Sequence, residues 1–185
     1  MKLYFITGNK HKFDQVREIL LPEIQVEQMN LDLDEIQEID PNKVIAHKIE
    51  EAKKKHVGEF ILEDVSLCID SLNGLPGPLV KWFLKSLGAK GIYELTKKTG
   101  NMNAHARVIF GYFDGKRTHF FEGKIEGEIS SPGKDDGFGW NPIFKPKGFD
   151  KVISEMTQTE KIAVGLRKQA LDRLKEHLLA TKESL

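Results

Sequence analysis

The chain has 185 residues, 39% of them hydrophobic, which is enough for one domain with a real core. Its 28 basic and 28 acidic residues cancel, which excludes a broad electrostatic surface for DNA or RNA, so any anion site has to be local. A lone cysteine, Cys68, excludes an internal disulfide and a cysteine-based zinc site, and no apolar run reaches the roughly 20 residues of a membrane-spanning helix.

The run Leu3-Tyr4-Phe5-Ile6 predicts a buried strand over 2–6. From Lys10 to Leu21 a helix follows, with Phe13, Val16, Ile19 and Leu20 on one side. The turn Thr7-Gly8-Asn9-Lys10-His11-Lys12 therefore brings free backbone N–H groups, a helix N-terminus and lysines to one place. That combination suits a phosphate, although the same turn also serves as plain connection. A strand over 24–29 leads to an acidic stretch, Asp32, Asp34, Glu35, Glu38 and Asp40. It reads either as a solvated loop or as oxygen ligands of the kind Mg²⁺ prefers.

Asp40-Pro41 is a helix start, an Asp cap with Pro at the first helical position, and the helix runs to about His56. Lys48 lies four residues after Val44 and four before Ala52, inside the apolar stripe. Its ammonium group must reach out to solvent or meet an anion in a cleft. In the strand over 60–69, Glu63 and Asp64 interrupt an apolar run, and alternation sends them to opposite faces. Two buried carboxylates are costly unless paired or on a metal. Cys68, in the same run, reads as a buried thiol.

A rigid loop, Gly74 to Pro78, precedes helical segments near 79–87 and 89–98. Strands near 104–113 and 117–130 flank an Asp114-Gly115 hairpin turn. The loop Asp136-Gly137-Phe138-Gly139-Trp140-Asn141-Pro142 offers flat aromatic faces to a base or, equally, a core tryptophan at a hairpin end, with Asn141-Pro142 opening a short strand. Thr157-Gln158-Thr159-Glu160 is a capping box for one long last helix. Lys161 in its first turn opposes the helix dipole, and Arg167 faces inward with Ala163, Ala170 and Leu171. The pattern predicts an α/β protein with a mixed sheet. There is no P-loop, no Gly-x-Ser-x-Gly and no Cys-x-x-Cys, and the six histidines lack metal-ligand spacing. The absence of a leader-like N-terminus makes a cytoplasmic location the expectation.

Seven ordered blocks resemble the inosine/xanthosine triphosphate pyrophosphatases, which hydrolyse non-standard purine nucleoside triphosphates. The blocks are Thr7-Gly8-Asn9-x-x-Lys12, Glu35-Ile36-Gln37, Lys48, Glu63-Asp64, Gly74-Leu75-Pro76-Gly77, Phe138-Gly139-Trp140-x-Pro142, and Glu155-Met156-Thr157 through Glu160-Lys161 to Arg167. The resemblance implies an elongated mixed β-sheet with flanking helices, one domain with two lobes around a central cleft, a homodimer, and Mg²⁺ as cofactor. It implies conversion of a triphosphate such as ITP, dITP or XTP to the monophosphate and pyrophosphate. By the same resemblance Thr7, Gly8, Asn9, Lys10, His11 and Lys12 hold the phosphates together with Lys48. Glu35 and Asp64 position the metal, with Asp64 as general base and Lys48 as its catalytic companion. Val65 and Lys81 contact substrate, and Phe138, Gly139, Trp140, Asn141, Lys161, Leu166 and Arg167 line the nucleoside pocket. Whether Glu38 or Glu63 also serves the metal stays open.

Two positions depart from the family pattern. Asn141 stands where an Asp is usual, and Gly165-Leu166-Arg167 replaces Ser-His-Arg. An ionised Asp only accepts hydrogen bonds, whereas Asn donates and accepts, and Leu166 offers its side chain for neither. The phosphate end is intact, so the readings left open are a nucleotide pyrophosphatase with a shifted or broad base preference, and a nucleotide-binding module without catalysis.

Overall fold

The computed structural model describes residues 2–134 and 139–183. In chain order the elements are β1 (Lys2–Ile6), α1 (Lys10–Leu20), β2 (Gln25–Met29), α2 (Pro41–Lys55), β3 (Phe60–Ile69), β4 (Pro76–Gly77), α3 (Val80–Lys97), β5 (Asn103–Phe113), β6 (Thr118–Ile129), β7 (Phe144–Pro146), α4 (Gln158–Val164) and α5 (Leu166–Glu183). The strands form one open, mixed sheet in the order β2-β1-β3-β5-β6-β7, with β4 pairing to β3. β1 is parallel to β2 and β3, and the β3–β5, β5–β6 and β6–β7 pairs are antiparallel. The mixed α/β architecture expected from the sequence is what the chain adopts.

Period-two alternation along β3 divides the core. Ile61, Leu67 and Ile69 join Val16 and Leu20 of α1 and Ala170, Leu171 and Leu174 of α5 on one face. Phe60 and Leu62 join Ile45, Ile49 and Ala52 of α2 on the other. Each fully buried side chain of this size contributes roughly 1.5–3 kcal/mol. Glu63 and Asp64 sit at the middle of the strand, paired in register with Phe110 and Ile109 of β5. The two carboxylates leave the sheet on opposite faces, as alternation requires.

Local signals explain the helix starts. The Asp40 side chain accepts from the Asn42 N–H at 2.9 Å, and Asn9 caps α1 by accepting from the Lys12 N–H at 3.2 Å. α3 breaks at Gly88, whose backbone is non-helical (φ 68°), matching the two segments expected there. Four expectations are corrected. The capping box at Thr157 and Glu160 forms, but it starts a helix of seven residues. Gly165, in the left-handed region (φ 82°), ends that helix before α5 begins at Leu166. Lys161 therefore lies in a last turn, where a cation favours the dipole. The short strand opens at Phe144, two residues past Pro142, because residues 139–143 form turns. Cys68 is only half-buried.

α5 can start where it does because Gly123 of β6 has no side chain. A Cβ at that position would collide with the Leu166 carbonyl oxygen. The close approach seats the first turn of α5, and with it Arg167, against the sheet.

Candidate active site

A cleft of about 830 Å³ is lined by residues of α1, the 35–38 loop, α2, β3, the start of α3, residues 139–141 and the α4–α5 junction. Among the residues expected from the sequence, Asn9, His11, Lys12, Glu35, Lys48, Asp64, Val65, Lys81, Gly139, Trp140, Asn141, Lys161, Leu166 and Arg167 all line it. Phe138 lies outside the described residues. Thr7, Gly8 and Lys10 do not line the cleft. The Thr7 hydroxyl accepts from the Asn9 N–H at 3.1 Å and shapes the turn, Gly8 packs beside the Asn30 amide, and Lys10 pairs with Asp14 at 2.9 Å on the surface.

Lys48 is the hub on the α2 face. Its ammonium donates to Glu35 Oε1 at 3.0 Å, to the Glu63 carbonyl at 3.3 Å and to Asp64 Oδ1 at 3.5 Å. Glu35 also meets Lys81 at 3.5 Å, so one carboxylate bridges cations from α2 and α3. Burial works against the charge on Lys48, but Asp64 and Glu35 override it and hold its pKa above the ordinary lysine value. Burial likewise disfavours the charge on Glu35, yet Lys48 and Lys81 hold its pKa below the usual carboxylate range. Asp64 goes the other way. Burial raises its pKa to about 6, against the pull of Lys48 and Lys12 and with help from Glu35. The ion pair with Lys48 does not offset that burial, and the Glu35 charge beside the same lysine adds to the rise. Asp64 Oδ2 is buried with no hydrogen-bond partner among the described residues.

The α1–α5 face carries a second set that the sequence did not bring together. Arg167 forms a two-pronged pair with Glu63, Nε to Oε2 at 2.8 Å and Nη2 to Oε1 at 2.9 Å, and donates from Nη1 to Gln15 Oε1 at 2.8 Å. Lys12 Nζ meets the same Glu63 Oε1 at 2.9 Å. Burial opposes ionisation of Glu63, but Arg167 and Lys12 prevail and hold its pKa at about 2. Glu63 is thus committed to two cations, and Glu38 accepts from the backbone N–H groups of Ile39 and Asp40 beside its pair with Lys43.

At the other wall, Trp140 is 8% exposed and packs edge-on to Phe144, ring centroids 5.3 Å apart, so most of it serves the core. The Leu166 side chain is buried in the same core, and the Asn141 carbonyl accepts from the Ser154 N–H at 3.2 Å. Two cleft residues escaped the sequence reading. Gln15 stands three positions after Lys12, one helical turn on, which was a readable signal. Trp82, 46% exposed with Lys81 and Lys85 about its ring at 5.7 and 5.6 Å, directly follows Lys81 at the start of α3.

The sequence profile of the Ham1 family matches residues 3–177. The chain belongs to the Ham1 family. An inosine triphosphate pyrophosphatase of Schizosaccharomyces pombe (strain 972 / ATCC 24843) is 37% identical over 182 residues, covering 97% of this chain and 96% of that protein. Among solved structures, a HAM1 protein from Coxiella burnetii superposes with a TM-score of 0.81 at 21% identity, over 97% of this chain and 99% of that one. A nucleoside-triphosphatase / dITP/XTP pyrophosphatase from Mycobacterium abscessus ATCC 19977 / DSM 44196 gives 0.73 at 22% identity, over 94% and 98%. At those identities the structural likeness shows a shared Ham1 fold.

The carboxylates of this Ham1 chain fit a hard divalent cation of the Mg²⁺ type. Asp64 keeps an unused buried oxygen, and Glu35 stands on the other side of Lys48. Among the described residues no three His, Cys, Asp or Glu side chains form a metal cage. Mg²⁺ characteristically binds through one or two carboxylates together with water and substrate phosphates, so this sparse donor set suits it.

Proposed function

We propose that this chain hydrolyses non-standard purine nucleoside triphosphates, ITP, dITP and XTP, to the monophosphate and pyrophosphate, as one catalytic domain using Mg²⁺. The observation that carries this reading is Asp64, a cleft carboxylate with a pKa near 6 and an uncommitted oxygen, in a chain 37% identical to an inosine triphosphate pyrophosphatase. A general base works best when its pKa lies near the working pH.

Lys12, Lys48 and Lys81 receive the triphosphate, with the Asn9–His11 turn beside them. They offset its charge in a site partly screened from water. Glu35 and Asp64 hold the cation, which when bound supplies Lewis-acid polarisation of the phosphate and of the water near it. Asp64 accepts a proton from the attacking water. The water oxygen forms a bond to the α-phosphorus as the bond to the bridging oxygen breaks, and pyrophosphate leaves with that electron pair. Lys48 orients Asp64 through Oδ1. Gly139, Trp140, Asn141, Lys161, Leu166 and Arg167 enclose the nucleoside, with Val65 beside the sugar–phosphate. A 6-keto purine is selected by a donor facing its keto oxygen, since a 6-amino group would bring donor against donor. A homodimer and a cytoplasmic location complete the reading. No described helix is long and apolar enough to cross a membrane.

The test is pyrophosphate release with Mg²⁺ over ITP, XTP, dITP, GTP, ATP and dUTP. The expected result is kcat/KM for ITP and XTP far above that for ATP and GTP. A flat profile, or a preference for dUTP, would replace this reading with the broad-specificity one that Asn141 and Leu166 motivate. Tight ITP binding with no pyrophosphate release would make the protein a binding module.

A further inference from the structure

Arg167 lines the cleft, yet its guanidinium is occupied. Nε and Nη2 hold Glu63, and Nη1 holds Gln15. Both ends of the Glu63 pair are buried, the Arg167 side chain 8% exposed and that of Glu63 2%. Lys12 shares Glu63 Oε1 with Arg167 but is 25% exposed, and its ammonium group also acts electrostatically on Asp64. The three side chains therefore divide into a fixed buried pair and one exchangeable cation. Two parallel bonds to a planar fork keep Arg167 in place, whereas a single bond to a flexible lysine is easily exchanged.

We propose that Arg167 is a positioning residue that acts through Glu63 on Lys12. By neutralising the buried carboxylate, it leaves Lys12 available to transfer from Glu63 Oε1 to a phosphate oxygen of the substrate. Without the guanidinium, Glu63 would have Lys12 as its remaining ion-pair partner and would hold it back from the ligand. When Lys12 moves to a phosphate, the fixed pair keeps Glu63 satisfied, so no buried charge is stranded. Arg167 thereby tunes phosphate affinity from the α5 side without touching phosphate. The inference rests on the reading of the cleft as a triphosphate site.

The test uses inorganic triphosphate with Mg²⁺ as a ligand that carries no base and needs no turnover, its Kd read by calorimetry. Arg167→Met is expected to weaken binding tenfold or more. The double variant Glu63→Gln with Arg167→Met removes both charges and is expected to restore Kd to within threefold of wild type. If Arg167 contacts the ligand itself, the double variant stays as weak as Arg167→Met, which overturns the proposal. Arg167→Met leaves a buried carboxylate with one partner and can fail to fold. Glu63→Gln alone then decides, because the proposal requires triphosphate binding as tight as wild type or tighter, and a tenfold loss would reject it. Loss of the functional reading shows up separately, as wild-type protein that binds inorganic triphosphate but releases no pyrophosphate from ITP.

Discussion

Lys48 stands 3.5 Å from Asp64 and 3.0 Å from Glu35, so the site's buried lysine leans away from the carboxylate assigned as base. Burial, with help from the Glu35 charge, raises the Asp64 pKa despite Lys48, and Asp64 Oδ2 is unpartnered among the described residues, while Lys48 and Lys81 hold Glu35 in its ionised form.

Asp64→Asn removes the proton acceptor. Pyrophosphate release is expected to fall about 10²–10⁴-fold, the usual worth of general-base catalysis. In the wild type, kcat/KM should rise with pH through about 6, because only ionised Asp64 accepts a proton. A pH-rate profile in which the limb near 6 survives in the Asn variant would remove Asp64 from the chemistry.

Stability should depend on pH in opposite senses at the two neighbouring acids. The folded pKa of Asp64, about 6, lies above its ordinary value of 3.8, so the folded state binds the proton more tightly and Asp64 lowers stability as pH rises from about 4 to 6. The pKa of Glu63 falls from 4.5 to about 2, so it stabilises above about 4.5 and that contribution is lost as pH falls toward 2. Urea unfolding of Asp64→Asn should therefore gain on the wild type between pH 4 and 6 and stay ahead at pH 7.5. Glu63→Gln, which strands Arg167, should lose about 3–5 kcal/mol at pH 7.

Glu35→Gln keeps the shape of the side chain and removes its charge. The Mg²⁺ concentration giving half-maximal pyrophosphate release should rise by about tenfold or more, as expected when a metal's protein partners are weakened. Chelation of Mg²⁺ should abolish release in both proteins. An unchanged Mg²⁺ requirement in the variant would assign Glu35 to holding Lys48 and Lys81 alone.

Gly123→Ala sets a methyl group against the Leu166 carbonyl, which is backbone and cannot rotate away. Unfolding free energy should drop by about 1–3 kcal/mol or more, the cost of overpacking. Because Leu166 starts α5, the fraction that stays folded should also bind triphosphate less tightly. Calorimetry on Gly123→Ala and Gly123→Ser would show both effects together.

Trp140 separates a core role from a platform role. Its 8% exposure and edge contact with Phe144 predict a loss of about 3–5 kcal/mol for Trp140→Ala by denaturant unfolding, with much of it recovered in Trp140→Phe. A tryptophan serving mainly as a base platform would lose ITP affinity with little change in stability.

Features set by local spacing and pattern were legible in the amino-acid sequence. Alternation placed Glu63 and Asp64 on opposite faces, the 3.6-residue period put Lys48 in an apolar stripe, and Asp40-Pro41 marked the start of α2. The sequence also carried the ordered motifs by which the chain resembles its family, and the Ham1 match over residues 3–177 shows that family. Tertiary structure alone decided which charges meet. Arg167 and Glu63 are 104 residues apart, and Gln15 joins them across 152, distances over which no local periodicity carries information. The split between α4 and α5 was equally hidden, because the capping box marks a helix's start but not its end; Gly165 ends α4, and the missing side chain of Gly123 lets α5 settle on the sheet. Local sequence fixed each side chain's face, and long-range packing chose its partner, because ion pairing in a buried core depends on which elements the sheet brings together.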